Sequence, residues 1–186
     1  MTKPVHAYYP GSFNPVTPGH LAVAASASVL FERVTFLVAV NPAKNYGVSA
    51  EQRAAWIRRS VAGIDNIDVE ILPQGETVVG HLVKDQNNVI IKGLRGVADV
   101  ESEFEQQVYN EMLNDIGVPL RFMYMFIPPM KYISSTGLRD TAKLVDYNKF
   151  FSMFSIDTAL LDQLALHNTL LSYNTILKEV YETYHG

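Results

Sequence analysis

A segment rich in proline and glycine near the N-terminus carries residue types that bind phosphate. It reads YPGSFNPVTPGH from Tyr9 to His20 and lies between a short apolar stretch and a helical pattern. A turn between a strand and a helix brings backbone N–H groups together at the helix start, where an anion binds. His20 falls in the first turn of the helix and can donate to the same anion. The segment predicts a nucleotide-binding turn. The simpler alternative is a surface turn whose histidine caps the helix.

A second polar helix start lies far along the chain, where Ile133–Arg139 reads ISSTGLR. Hydroxyls and free N–H groups at a helix start bind phosphate oxygens, and Arg139 lies about one turn into this helix. Taken alone, the segment is more simply an ordinary serine N-cap. Combined with the first turn, it indicates a site for the phosphates of a nucleotide.

Apolar runs alternate with helical patterns along most of the chain. We expect strands at Val5–Tyr9, Val34–Val40, Ile67–Leu72, Val89–Lys92 and Leu120–Phe126. We expect helices at Gly19–Phe31, from a capping box at Ser49–Gln52 to about Ala62, at Thr77–Gln86, at Ala98–Ile116, and from Ser134 or Ser135 to about Val145. This order predicts an α/β fold, with a Rossmann-like, doubly wound parallel sheet of five strands and helices on both faces. Ligands bind beyond the carboxyl ends of the strands in such sheets.

The C-terminal part of the chain differs in pattern, so we divide the sequence into a domain over residues 1–145 and a C-terminal helical extension over residues 146–186. From about Asp157 the extension carries apolar residues at helical spacing, namely Leu160, Leu161, Leu164, Leu171, Ile176, Leu177, Val180, Tyr181 and Tyr184. An apolar stripe of this length must be buried. We expect it to pack on the same domain, with a neighbouring subunit as the alternative.

The composition excludes several classes of protein. With 186 residues, 48% of them hydrophobic, the chain can form a folded core. No apolar run reaches about 20 residues and no signal peptide is visible, so no membrane partner is expected. The net charge of −4 argues against nucleic acid as a partner. Because the chain has no cysteine and no histidine pair at metal-ligand spacing, we expect a cytoplasmic protein without a protein metal site.

Three further stretches complete a set of motifs. They are NPAK at Asn41–Lys44, KGLRGVAD at Lys92–Asp99, and the polar positions Glu101–Glu103 and Asn110. Together with the two helix starts they resemble the motifs of the nucleotidylyltransferase superfamily, GxFxPxxxGH and ISSTxxR. Within it they are most similar to the bacterial phosphopantetheine adenylyltransferase family, with its NPxK and RGLRxxxDFEYE. The resemblance runs from Tyr9 to Arg139, and the sequence beyond about Lys143 does not match.

The resemblance implies an enzyme that transfers the adenylyl group of ATP to 4′-phosphopantetheine, giving dephospho-coenzyme A and pyrophosphate. Since the attacking phosphate is already an anion, the reaction needs no general base and no covalent intermediate. Catalysis then consists of positioning and charge neutralisation. Mg²⁺ is implied as a cofactor that arrives with ATP and is held mainly by its phosphates. The family also implies a homo-oligomer, usually a hexamer.

The resemblance assigns roles residue by residue. The implied catalytic residues are His20, Lys44 and Arg95. The implied ATP-binding residues are Ser12, Phe13, His20, Gly93, Leu94, Arg95, Glu103, Ser134, Ser135 and Thr136. The implied acceptor-binding residues are Ser12, Lys44, Thr77, Val78, Lys92 and Asn110.

Several positions depart from the family pattern. Asn14 stands where the family has Asp, and Lys92 stands where it has Arg. Val100 and Ser102 replace Phe and Tyr, and the loop at Ile127–Tyr132 is shorter than the family's loop on the adenine side. Two other functions therefore stay open, a nicotinamide mononucleotide adenylyltransferase and a non-catalytic nucleotide sensor on the same fold. Intact His20, Lys44 and Arg95 argue against the sensor, which would not need them.

Overall fold

The computed structural model describes residues 6–40, 44, 46–84, 88–112, 117, 119–126, 133–157 and 168–186. Its centre is a sheet of five strands, which are β1 (His6–Gly11), β2 (Arg33–Val38), β3 (Ile67–Ile71), β4 (Asn88–Leu94) and β5 (Phe122–Phe126). The strands lie in the order β3-β2-β1-β4-β5, and every neighbouring pair is parallel. The predicted five-stranded parallel sheet is therefore confirmed.

The strand order reverses at β1. The chain moves outward from β1 through β2 to β3, then crosses to the other side of β1 and continues through β4 to β5. The crevice between β1 and β4 lies at this switch point, and ligands of doubly wound sheets bind there, beyond the carboxyl ends of the strands.

Seven α-helices are described; five correspond to helices predicted with bounds, and two lie in the predicted C-terminal helical extension. They are α1 (Pro18–Leu30), α2 (Ala50–Ser60), α3 (Val78–Leu82), α4 (Val97–Met112), α5 (Ser135–Leu144), α6 (Tyr147–Phe154) and α7 (Leu177–His185). A 3₁₀ helix over Asn168–Ile176 leads directly into α7. The last residues predicted for the third and fourth helices, 85–86 and 113–116, lie outside the described residues, as do Leu160, Leu161 and Leu164 of the apolar stripe.

Helix α6 lies within the predicted helical extension over residues 146–186, but its bounds were not predicted, although their signals are present in the sequence. Asp146 caps its N-terminus, where the side chain accepts a hydrogen bond from the Lys149 backbone at 3.0 Å. Phe150 and Phe154 then repeat at one-turn spacing and are buried. Because the helix has only eight residues, its pattern is difficult to distinguish from the longer helical patterns on either side.

Both faces of the sheet are covered, as a doubly wound fold requires. Alternate residues of the central strands enter two separate cores, so that Tyr9 and Ile91 belong to the larger core while Tyr8 and Ile90 belong to the smaller one. The larger core also includes Tyr173, Leu177, Val180 and Tyr181. The described part of the C-terminal extension thus packs on the same core as β1. A contact with a neighbouring subunit stays a prediction, as does the boundary at residue 145.

Candidate active site

The loop between β1 and α1, residues 12–17, is hereafter the motif loop. Phe13 is buried in it with a φ of 46°, in the left-handed region that bulky side chains seldom adopt. Its ring packs edge-on against Tyr9, His20 and Phe36 at centroid distances of 5.0–5.3 Å. Gly11 makes room for this ring, because a Cβ there would lie 2.8 Å from it. The glycine of the motif therefore permits a packed aromatic loop.

His20 closes the start of α1 with an unusual capping box. The Thr17 side chain accepts from the His20 backbone at 3.5 Å, and Nδ1 of His20 accepts from the Thr17 backbone N–H at 3.1 Å. The histidine occupies the position that usually holds Glu or Gln. The capping role that the sequence offered as an alternative is thus confirmed, and nucleotide binding by the same side chain stays a prediction.

The protonation state of His20 follows from these contacts. Burial, and secondarily the positive charge of Arg95, lowers the pKa of His20 to about 4, so the ring is neutral at pH 7. A backbone N–H can only donate, so Nδ1 is the acceptor and the hydrogen is on Nε2. His20 therefore offers a ligand one neutral N–H donor.

A cavity of about 420 Å³ lies beyond the ends of β1 and β4, and we call it the first cavity. The motif loop, the end of β4, α4 and the start of α5 form its walls. It is lined by all ten implied ATP-binding residues, Ser12, Phe13, His20, Gly93, Leu94, Arg95, Glu103, Ser134, Ser135 and Thr136. Residues from distant parts of the sequence thus converge on one space.

A second cavity, of about 460 Å³, adjoins the first between the ends of β1, β2 and β3. Five of the six implied acceptor-binding residues line it, namely Ser12, Lys44, Thr77, Val78 and Lys92. Asn110 lies on α4, one turn beyond the lining residue Gln106, and its side chain is outside the described part of the structure. The two cavities share Pro10, Gly11, Ser12 and Lys92, so they meet over the end of β1.

The cations of the first cavity are paired with carboxylates. Arg95 donates to Asp99 from its backbone at 2.7 Å and from Nε and Nη2 at 3.1 and 3.0 Å. This hydrogen-bonded pairing raises the pKa of Arg95 and lowers the pKa of Asp99. Lys92 pairs with Glu103 at 2.9 Å, although the resemblance assigned them to different substrates. Asp99 ends the KGLRGVAD motif, but the resemblance assigned it no role in the site.

Gly93 permits the close approach of β4 to α1. A Cβ at this position would lie 2.8 Å from Val23 Cγ2 and 3.1 Å from the Tyr9 hydroxyl. Burial raises the pKa of Tyr9 well above its usual range, so its hydroxyl stays protonated in the wall of the first cavity. Any side chain at residue 93 would push these walls apart.

The start of α5 is bonded to the motif loop. Ser134 caps the helix by accepting from the Gly137 backbone at 3.0 Å, which confirms one of the two predicted caps. Ser135 donates its hydroxyl to the Pro15 carbonyl at 2.8 Å. Arg139 donates to the Asn14 carbonyl and to the Thr136 hydroxyl. The second motif thus holds the first motif in place. Apart from the Gly137 N–H, which Ser134 binds, the first-turn N–H groups have no partner within the helix and can donate to an anion.

Arg53 supports the motif loop from behind, and sequence reasoning missed it. It is only 1% exposed and donates to the carbonyls of Ser12, Ala39 and Ser49. The Tyr46 ring lies 4.4 Å from its guanidinium carbon, and no carboxylate pairs with it among the described residues. The available signal was an arginine on the buried face of α2, beside Ala54 and Ile57.

The capping box predicted at the start of α2 forms only as a serine cap. Ser49 accepts from the Gln52 backbone at 3.1 Å. The Gln52 side chain donates instead to Glu179 on α7 at 2.6 Å, a partner 127 positions away. This tertiary contact draws the amide away from the local cap.

Comparison with known proteins decides the family. A sequence model described as cytidylyltransferase-like matches residues 8–141. A phosphopantetheine adenylyltransferase of Clostridium tetani is 36% identical over 136 residues, which cover 73% of this chain and 82% of the relative. The chain belongs to the phosphopantetheine adenylyltransferase family of nucleotidyltransferases. A relative of the same name from Rubrobacter xylanophilus is also 36% identical, over 74% of this chain and 82% of its own length.

Solved structures show the same fold at low sequence identity. A nicotinic acid mononucleotide adenylyltransferase of Plasmodium falciparum, in complex with NaAD, aligns with a TM-score of 0.57 and 15% identity. The alignment covers 95% of this chain and 97% of that one. At this identity the likeness establishes the Rossmann-like fold and no more.

The described residues lack two kinds of feature. They contain no group of three or more His, Cys, Asp or Glu side chains arranged to hold a metal ion. Likewise, no helix within the described ranges is long and apolar enough to cross a membrane.

Proposed function

We propose that this protein transfers the adenylyl group of ATP to 4′-phosphopantetheine. The observation that supports it best is the meeting of the two cavities over the end of β1, with Ser12 and Lys92 in both. One cavity collects the implied nucleotide residues, and the other collects five of the implied acceptor residues. Two substrates held there would face each other across Ser12, as a direct transfer of the adenylyl group between them requires.

His20 would act as a donor to the α-phosphate. Its Nε2–H is neutral and oriented by the Thr17 backbone, so it needs no rearrangement when negative charge grows on the phosphoryl oxygens. The acceptor phosphate would attack from the second cavity, beside Lys44, while pyrophosphate leaves toward Arg95 and the start of α5. No proton has to leave the attacking oxygen, so no general base is required.

Mg²⁺ would be held by the nucleotide more than by the protein. The two carboxylates described in the first cavity, Asp99 and Glu103, are already paired with Arg95 and Lys92. This donor set fits an ion that keeps most of its ligands from triphosphate oxygens and water. The ion would neutralise charge on the leaving pyrophosphate.

The lining of the second cavity suits an elongated amide-containing acceptor. Its walls combine the apolar side chains of Leu72, Val78 and Ile90 with the cations Lys44 and Lys92, of which Lys92 also lines the first cavity. A phosphate beside the cations and an uncharged arm along the apolar walls would match this lining. A nicotinamide mononucleotide would instead carry a second ring system there, and it is the competing acceptor.

We also propose a homo-oligomer. Apolar side chains on α4 are exposed in the single chain, namely Val97, Val100, Phe104, Val108, Tyr109 and Met112. Patches of this kind on a soluble protein usually mark an interface. Light scattering of the purified protein would give the number of subunits, for which the family implies a hexamer.

Acceptor identity can be tested with purified protein, MgATP and one acceptor at a time. We expect pyrophosphate release and a product with the mass of dephospho-coenzyme A when 4′-phosphopantetheine is supplied. Nicotinamide and nicotinic acid mononucleotides should give less than about one hundredth of that rate, since they carry a phosphate but lack the arm that contacts the apolar walls. If only a mononucleotide is turned over, 4′-phosphopantetheine is not the acceptor, but the protein is still an adenylyltransferase. Nucleotide binding without any turnover would favour the sensor.

A further inference from the structure

Asn14 joins three separate segments of the chain. Its side chain is buried, with 6% of the residue exposed. Its Nδ2 donates to the Tyr46 carbonyl at 3.0 Å, and its Oδ1 accepts from the Tyr184 hydroxyl at 2.7 Å. Because a backbone carbonyl can only accept, Nδ2 must face Tyr46, and Oδ1 is thereby directed to Tyr184.

The first two segments belong to the candidate active site. Asn14 lies in the motif loop, between the buried Phe13 and Pro15, whose carbonyl binds Ser135. Tyr46 lies two positions after Lys44 and covers the buried guanidinium of Arg53. The Asn14 amide therefore fixes the distance between the motif loop and the segment that follows Lys44.

The third segment, α7, is firmly attached to the core. Leu177 and Val180 are fully buried, and the Tyr181 hydroxyl donates to the Val145 carbonyl at 3.0 Å. Glu179 accepts from Gln52 at 2.6 Å and pairs with Arg59 on α2. The Tyr184 hydroxyl is thus presented to Asn14 from a rigid support.

The Tyr184 side chain has two separable contacts. Its ring lies 6.4 Å from the Trp56 ring, measured between centroids, and its hydroxyl reaches Asn14. Burial raises the pKa of Tyr184 to about 12 against the opposing charges of Arg139 and Arg53, so the hydroxyl remains a donor throughout the neutral range. Removing only the hydroxyl would leave the ring packing in place.

We propose that Tyr184 is a positioning residue for adenylyl transfer, because its hydroxyl holds Asn14 in the orientation that aligns the motif loop with the Lys44 segment. The C-terminal extension, whose sequence matches none of the family motifs, thereby becomes part of the catalytic framework. Tyr184 itself lies outside the residues that line either cavity. This proposal rests on the proposed function only because the kinetic test measures adenylyl transfer.

The test compares Tyr184→Phe with Tyr181→Phe. Both changes remove one hydroxyl from α7, but the Tyr181 hydroxyl bonds the Val145 carbonyl, away from the site. We expect Tyr184→Phe to lower kcat about fivefold, as for the loss of one hydrogen bond, with the KM for ATP changed less than about twofold. Tyr181→Phe should keep the wild-type kcat, and both variants should show cooperative thermal unfolding. Equal kcat values for the two variants would overturn the proposal.

A double-mutant cycle tests whether the hydroxyl acts through Asn14. If it does, Tyr184→Phe should have no further effect on kcat in an Asn14→Ala background. Additive losses would show that the hydroxyl acts elsewhere and would overturn the proposal.

Hydrogen exchange gives a readout that needs no acceptor. Tyr184→Phe should speed exchange in the motif loop and in residues 46–49, whereas Tyr181→Phe should not. If the wild-type protein adenylylates no acceptor, the proposed function fails while this measurement still tests the link. Unchanged exchange in Tyr184→Phe would overturn the link even in an active enzyme.

Discussion

The two cavities are built in different ways. The first cavity is walled by side chains that bond one another, with Arg95 on Asp99, Lys92 on Glu103 and Ser135 on the motif loop. The second cavity combines the apolar side chains of Leu72, Val78 and Ile90 with polar ones, and its Lys44 is exposed. Polar groups that are already oriented suit a charged substrate whose phosphates must be placed accurately. The apolar part of the second cavity selects a substrate by shape and leaves its chemical identity less defined. This difference explains why the nucleotide side is easier to assign than the acceptor side.

Replacing His20 should have the largest effect on the rate, and that effect should be confined to the chemistry in the first cavity. His20→Ala removes an oriented donor from the first cavity, so kcat should fall by about 10²–10³. The KM for the acceptor and the affinity for ATP should change much less, because the donor matters most in the transition state. Steady-state kinetics and calorimetric titration with ATP would check both. A variant that loses ATP binding but keeps its saturated rate would contradict the assigned role.

Substitutions of Lys92, which lines both cavities, test whether this side chain contacts the acceptor. Lys92→Ala removes a charged contact and leaves Glu103 unpaired, so the KM for the acceptor should rise about tenfold or more. Lys92→Arg is the matched control, and it should stay within about threefold of the wild type because it keeps the charge and can form a bidentate contact. Initial rates at varied acceptor concentration would measure the effect. Unchanged acceptor kinetics in Lys92→Ala would place the side chain outside the acceptor site.

Asp99 tests whether the ion pairs of the first cavity orient its cations. Asp99→Asn keeps one acceptor for Arg95 but removes the charge, so Arg95 should be less well placed and the KM for ATP should rise about threefold. Ser152→Ala is a suitable control, since it also removes one polar contact but lies on α6, outside the lining of both cavities. A lower KM in Asp99→Asn would show that the pair competes with ATP and does not position Arg95.

The titration of His20 is the smallest expected effect. Its folded pKa of about 4 lies below the ordinary value of 6.5, so protonation disfavours the folded state. The contribution of His20 to stability is complete above pH 6.5 and is lost as the pH falls toward 4. NMR titration should show no protonation of the ring between pH 6 and 8 in the free protein. A titration midpoint near 6.5 would contradict the neutral donor.

The sheet was predictable because its buried strands leave apolar runs in the sequence, and its edge strand β3 alternates apolar and charged residues. The ten implied ATP-binding residues come together in the first cavity, as their motifs suggested, and their binding of ATP stays a prediction. The hydrogen bonds between distant segments could not be predicted from the sequence. Asn14 and Tyr184 are 170 positions apart, and neither hydropathy nor spacing relates them. Arg53 escaped notice because a charged residue in a helix is usually exposed, whereas here three carbonyls and an aromatic ring satisfy it.

The central claim is a direct transfer between two cavities that meet over β1. A single in-line displacement inverts the configuration at the α-phosphorus. The measurement is the stereochemical course of the reaction with one diastereomer of adenosine 5′-O-(1-thiotriphosphate) and 4′-phosphopantetheine. The account predicts one product diastereomer with inverted configuration. Retention would require two displacements through a covalent enzyme intermediate and would contradict the claim.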